Sequence, residues 1–368
     1  MARWIFAILA ACACLTACSD TAGPPARVPT DPAAATFVTS DIEHFWQAYD
    51  AGGKDGVASA FQGQYLDRAS PGLRDFIRSR NITATSLTQM VGAFPRYFAA
   101  IRTNTLRLTE TSAVLVTIRA NFQKIETLYP AAVYPPVTFL IGRFSTGGTT
   151  SQSGMLIGTE FYASDAATPL DELQAFQRNN VQPLDSIPLI IAHEHTHVLQ
   201  QQAGRLMRKA NKTLLDQALL EGSADFVGEL VSGSHINQAI YAWALPREDS
   251  LWGAFRLAMN GTDVSQWLYN QGSATPDHPG DLGYFIGYRI AHAYYTKASD
   301  KTAALRDIIE VSDAQAFLTA SGYSGSLSPA AARESPAGPA QYTSTPNRPT
   351  RAWSTAARDE GVSAGRRT

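Results

Sequence analysis

Apolar positions along this chain recur mainly with the period of a helix. Ile42, Phe45, Trp46 and Tyr49 fall on one helical face behind Ser40-Asp41-Ile42-Glu43, whose spacing is that of a capping box. Similar patterns run over residues 57–66, 70–80, 86–103 and 110–128, punctuated by Gly, Pro and Asn, and Pro130, Pro135 and Pro136 close the region. Two β-prone runs follow, residues 137–141 and 155–162, on either side of a Gly/Ser/Thr-rich stretch from Gly142 to Gly154, and predict an antiparallel hairpin. Beyond it the pattern is mostly helical again as far as Ser321. Helices, a small antiparallel sheet and then more helices predict an α+β fold class.

The two ends read differently. Arg3 followed by the apolar run Trp4 to Leu15 has the form of a secretory signal peptide, and Leu15-Thr16-Ala17-Cys18 has that of a bacterial lipobox. Acyl chains on Cys18 would anchor the protein by hydrophobic transfer, with no spanning helix. Ser19 in place of an aspartate points to the outer membrane, facing the periplasm. Ser19 to Thr39 is rich in Pro and Ala and reads as a tether. From about Gly325 the chain is a Ser/Pro/Ala/Gly/Thr/Arg mixture that reads as disordered, with Trp353 its one large apolar residue.

Composition narrows the function. Lys+Arg total 30 against 32 Asp+Glu, a net charge of −2, which lacks the basic excess of a nucleic-acid binder. The three cysteines, Cys12, Cys14 and Cys18, all precede the folded part. That part therefore has no thiol nucleophile and no Cys-ligated metal, so any ion must be held by His and carboxylate.

Such a set is present. Ile190-Ile191-Ala192-His193-Glu194-His195-Thr196-His197-Val198-Leu199 contains H-E-x-x-H, in a segment that Asp185 or Ser186 can cap, Pro188 can open and Gly204 can end. On a helix His193 and His197 lie one turn apart and can present two imidazoles to one ion. Glu194, about 100° round the helix, can reach a water at that ion without being a ligand. The flanking Ile and Val-Leu pairs indicate a buried helix, where unpartnered histidines would carry a desolvation cost that a metal removes. His195 points to the opposite side and reads as structural. Further on, Leu219-Leu220-Glu221-Gly222-Ser223-Ala224-Asp225-Phe226 places Glu221 and Asp225 on one face with Ala218, Gly222 and Gly228. Those small residues predict close packing against the H-E-x-x-H helix, with Asp225 placed to accept a ligating histidine's free N–H.

H-E-x-x-H followed by Glu-x-x-x-Asp resembles the thermolysin-type gluzincin metallopeptidases. The 41–49 opening, the 142–158 hairpin and Gly283-Tyr284-Phe285-Ile286-Gly287-Tyr288 resemble more closely a family of bacterial predicted zinc-dependent proteases. The likeness implies one Zn²⁺ per chain on His193, His197 and Glu221, Glu194 as the base, Asp225 behind the ligands, and a peptide or protein substrate. It divides the chain into a signal peptide (1–17), a tether (18–39), a helical N-terminal lobe (40–130), a gluzincin-like catalytic region (131–324) and a tail (325–368). The G-x-M-E-N signature of the aminopeptidase branch is absent.

A hydrogen-bond donor for the oxyanion is expected among Tyr284, Tyr288 and His292, one stripe at helical spacing, with Tyr288 favoured, Tyr284 next, and His278 a further candidate. Glu160 on the second β run is a candidate for a substrate amine, against the plainer reading of a solvated strand residue. His44 and His235 read as structural. Two other classes compete with a peptidase: a surface lipoprotein that binds partners over a structural zinc, for which Glu194 has no use, and a hydrolase of non-peptide amides.

Overall fold

The computed structural model describes residues 28–52, 57–275 and 277–326. The signal peptide, Cys18 and Trp353 lie outside them. A four-stranded mixed sheet in the order β1-β2-β4-β3 is enclosed by helices, making the architecture α+β and mostly helical. No described helix is long and apolar enough to cross a membrane.

The sheet differs from the expected hairpin. β2 (Val137–Leu140) and β4 (Gly154–Gly158) are parallel neighbours, with Val137 opposite Met155. The stretch between them supplies β3 (Gly148–Ser151), antiparallel to β4 and at the edge. Both β2 and β4 are buried along their whole length, as interior strands flanked on two sides should be. β3 is built of Gly, Thr and Ser and half-exposed. The turn into β4 ends on Gly154 at φ +111°, where a Cβ would stand 2.1 Å from the Pro136 carbonyl oxygen. β1 (Phe37–Val38) completes the sheet beside β2. Residues 28–39, part of the Pro-rich stretch, thus contribute a strand.

Helix boundaries follow local chemistry. Ser40–Ala51 forms a helix, but no capping box does: Asp41 is buried and accepts from the backbone N–H (3.1 Å) and hydroxyl (2.5 Å) of Ser70. Ser70 in turn caps Pro71–Arg80. The pattern over 86–103 resolves into Ala84–Ala93 and Pro95–Thr105, because Pro95 has no N–H to continue a helix and suits a first turn. One apolar core runs from Ala35 to Tyr323 through the helices on both sides of the sheet.

Three helices frame the chemistry: the His193 helix (Ile187–Ala203), the Glu221 helix (Leu214–Ser232) and the Tyr284 helix (Leu282–Lys297). Ser186 stands at the first helix's N-cap without a capping side-chain bond, and Gly204 ends it. Thr213 and Asp216 form a reciprocal capping box for the second. The small residues of that helix do not all face the His193 helix. A Cβ on Gly222 would sit 2.1 Å from the Tyr288 nitrogen, and one on Gly287 would sit 1.7 Å from the Ala218 carbonyl oxygen. Ala218 and Gly222 therefore seat the Tyr284 helix, and only Gly228 approaches His193, at an ordinary 3.5 Å. Gly287→Ala should force these two backbones apart, at a cost of about 3 kcal/mol. A melting temperature lower by roughly 5 °C or more in a thermal scan is the expected result.

Candidate metal centre

The three residues that the motif singles out converge. His193 and His197 bring their Nε2 atoms to 3.0 Å, and Glu221 Oε2 lies 3.1 Å from His197 Nε2 and 3.5 Å from His193 Nε2. All three ligand atoms lie within 4.8 Å of one another.

The far side of each ring is fixed. His193 Nδ1–H donates to Asp225 Oδ1 at 2.8 Å. Asp225 Oδ2 accepts from Asn237 (2.7 Å) and the Tyr241 hydroxyl (2.7 Å). His197 Nδ1–H donates to Gln200 Oε1 at 2.8 Å, while the Gln200 amide donates to the Leu220 carbonyl and the Ser223 hydroxyl. Those two acceptors set the amide's orientation, so both imidazoles keep a proton on Nδ1 and turn Nε2 inward, where a lone pair becomes available once the pocket's own proton leaves. The Tyr269 hydroxyl donates to Glu221 Oε1 at 2.7 Å, leaving Oε2 toward the histidines.

This donor set suits a divalent cation. Atoms at about 2.0–2.2 Å from a tetrahedral zinc lie roughly 3.3 Å apart, close to the spacings here. Electrostatics agree. Burial alone disfavours a charged imidazole, yet hydrogen bonds to Asp225 and Glu221 outweigh it and push His193 up to about 10. Burial likewise disfavours the Glu221 carboxylate, but His197 and His193 hold it well below the usual range. The pocket therefore holds a proton wherever no other positive charge is supplied. A metal must displace that proton, so zinc affinity should rise with pH, by about tenfold per unit from about pH 6 to about pH 8. Calorimetry in buffers of different ionisation enthalpy should show at least one proton released per zinc bound.

Glu194 points into a cleft of about 530 Å³ whose lining also includes His193, His197, Glu221, Tyr269 and Tyr284. Its carboxylate is buried and makes no hydrogen bond to the described residues; burial pushes its pKa up, opposed by His197 and His193. β3 crosses directly above. A Cβ at Gly148 would lie 2.7 Å from Glu194 Oε1 and 2.9 Å from Ile190, so only glycine lets the strand come so near the motif helix.

The other candidates are sorted by the cleft. Tyr284 lines it, stacks on the His193 ring (centroids 6.1 Å apart, 20° between planes), and leaves its hydroxyl without a protein partner among the described residues. Tyr288, favoured on spacing, is one turn deeper and does not line the cleft: its hydroxyl donates to Glu229 Oε2 at 2.6 Å. His292, a turn further, packs on Phe226 and Tyr288. A stripe that advances about 5.4 Å per turn leaves a cleft that only the helix's N-terminal end borders. His278 lies in an exposed bridge with Thr275, against Trp243. His195 donates Nε2–H to the Val133 carbonyl between Phe122 and Tyr134, and burial pushes it down to about 4. His235 packs on Tyr241 and Tyr288, and His44 lies on the first long helix, away from the cleft lining.

Glu160 is neither solvated nor on a strand. It is fully buried in a 3₁₀ turn after β4 and accepts from the Gly142 N–H (2.9 Å) and the Phe144 N–H (3.0 Å). Phe144 adopts φ +56°, so this carboxylate clamps a left-handed residue in the segment leading to β3. Burial, partly offset by those N–H bonds, pushes Glu160 up to about 7 from 4.5. With the folded value above the unfolded one, its contribution to stability is complete below pH 4.5 and lost as pH rises through 7. Relative to Glu160→Gln, the wild type should lose about 3 kcal/mol across that window. Urea unfolding at about pH 4.5 and about pH 8 measures it.

Gln200, Asn237, Tyr241 and Tyr269 escaped the sequence reading. Gln200 alone had a local signal, at i+3 from His197 on one helix face.

Residues 151–313 match the model of a family described as "Predicted Zn-dependent protease (DUF2268)". The match covers the His193, Glu221 and Tyr284 helices and under half of the chain. No curated protein and no solved structure matches. The matched stretch contains the His193/His197/Glu221 cluster, so the similarity to a predicted zinc-protease family and a geometry compatible with a metal site coincide.

Proposed function

We propose that this chain is a gluzincin-type zinc peptidase, held at the bacterial cell envelope by acylation of Cys18, on the outer membrane facing the periplasm. The observation that carries the reading is the convergence of His193, His197 and Glu221 with Glu194 beside them in an open cleft. His193, His197 and Glu221 hold one zinc, with Asp225 and Gln200 setting the tautomers of the two imidazoles. Bound there, zinc supplies Lewis acidity, which makes a water acidic and polarises a carbonyl.

The chain's own residues do the rest. Glu194 makes no hydrogen bond to the described residues and is raised by burial, so it takes a proton from the attacking water and delivers it to the leaving nitrogen. The Tyr284 hydroxyl, without a partner among the described residues, lines the cleft and donates to the carbonyl oxygen as its charge develops. Tyr288 and Tyr269, whose hydroxyls serve Glu229 and Glu221, position neighbouring groups instead. β4 lies between β2 and β3, and of the sheet's two edge strands, β1 and β3, it is β3 that lines the cleft, where an extended peptide can pair with it.

Glu194→Gln tests the assignment. The variant should retain one zinc per chain by elemental analysis and lose about 10²–10⁴-fold or more in chelator-sensitive cleavage of a peptide library. Undiminished cleavage would exclude Glu194 as the proton carrier.

A further inference from the structure

One charged side chain on the cleft wall has no part in that chemistry. Arg80 ends the Pro71–Arg80 helix, half-buried, and lines the cleft. Its Nε is buried without a hydrogen-bond partner. Arg96, Arg102 and Arg289 each hold a carboxylate within 3.3 Å or less, whereas Arg80 makes no ion pair among the described residues. Burial pushes its pKa down, and the acid whose charge it feels is Glu194.

The same wall is short of acceptors elsewhere. Ser145, also lining the cleft, has a buried hydroxyl without a partner. Behind it, outside the cleft lining, Arg143 donates Nη2–H to the Arg80 carbonyl at 3.1 Å, and its own Nε is buried without a partner among the described residues. Removing such donors from water without an acceptor costs free energy, most of all for a guanidinium. A bound anionic group would recover it, and arginine's planar fork fits a carboxylate in particular.

Resting on the peptidase reading, we propose that Arg80 and Ser145 form a carboxylate-recognition subsite, so that the preferred peptides carry a carboxylate close to the bond cut. Ser145 precedes β3 by a few residues, and a peptide laid along that edge passes from Arg80 to the His193–His197 pair. Arg80 and Glu194 line the same cleft, so the recognised group lies within a few residues of the scissile carbonyl, at about 3.4 Å per extended residue. The carboxylate belongs either to an Asp or Glu side chain or to the peptide's C-terminus.

Binding and turnover are read separately. Zinc-loaded Glu194→Gln chain is titrated calorimetrically with three short peptides of otherwise identical sequence: Glu-containing and amidated, Gln-containing with a free C-terminus, and Gln-containing and amidated. A carboxylate-bearing peptide should bind about tenfold or more tightly than the uncharged one. Whichever of the first two wins identifies the source. The advantage should vanish when Arg80→Gln is added and be retained in part with Arg80→Lys, which keeps the charge without the fork and also controls for folding. Equal binding of all three, or an advantage that survives Arg80→Gln, overturns the subsite. In turnover, Arg80→Gln should raise KM for carboxylate-bearing peptides and leave uncharged ones unaffected. An equal fall in kcat for all would mean that Arg80 acts through Glu194, and also overturns it. Selective binding without any cleavage by the wild type would refute the peptidase reading and leave the subsite standing.

Discussion

Two imidazoles and a carboxylate within 4.8 Å of one another in a buried pocket favour a positive charge at their centre, and the surrounding structure is arranged to suit one. Asp225, Gln200 and Tyr269 each take one face or one oxygen of a ligand, so the remaining lone pairs point at a common centre. Asp225 is itself held by Asn237 and Tyr241 from the segment after the Glu221 helix. Rigidity of this kind matters because a site that is loose by an ångström binds its ion and orients its water poorly. The raised His193 and lowered Glu221 are two expressions of one electrostatic demand.

That arrangement is maintained by backbone proximity. Gly222 and Gly287 let the Glu221 and Tyr284 helices touch at the main chain, which brings Tyr284 over His193 while Glu221 reaches His197. Gly148 does the same for β3 over Glu194. In both places the missing side chain sets how near two surfaces around the cluster can come. The buried Arg289–Glu248 pair, with Tyr323 donating to the same carboxylate, ties the far side of the Tyr284 helix to the helix Glu248–Ala258 and to the segment just after Ala314–Ser321.

The sequence made the ligand helices legible because their chemistry is local. His193, Glu194 and His197 lie within one turn and a residue, and Glu221 and Asp225 repeat the same spacing, so helical period alone groups them. What it did not reveal depends on contacts between distant segments. Tyr269 reaches Glu221 from 48 residues away, and Tyr241 reaches Asp225 from a different helix. The choice between Tyr284 and Tyr288 turned on where the cleft ends along a helix, which no periodicity encodes. The sheet misled for a related reason: Val137–Leu140 and Gly154–Gly158 are equally apolar whether paired in parallel or antiparallel, and the polar stretch between them hid an edge strand. Asp41, at a position that promised a cap, instead bonds Ser70 on another helix.

The matched family stretch begins at residue 151, whereas Arg80, Ser145 and most of β3 come before it. The groups that would break a bond and the groups that would choose the molecule thus occupy separate lengths of polypeptide, meeting only across the cavity. Such a division lets much of the facing surface change without touching the His193, His197 and Glu221 cluster, Gly148 against Glu194 being the exception. Relatives that share the later stretch but carry a different earlier one would keep the reaction and alter their diet.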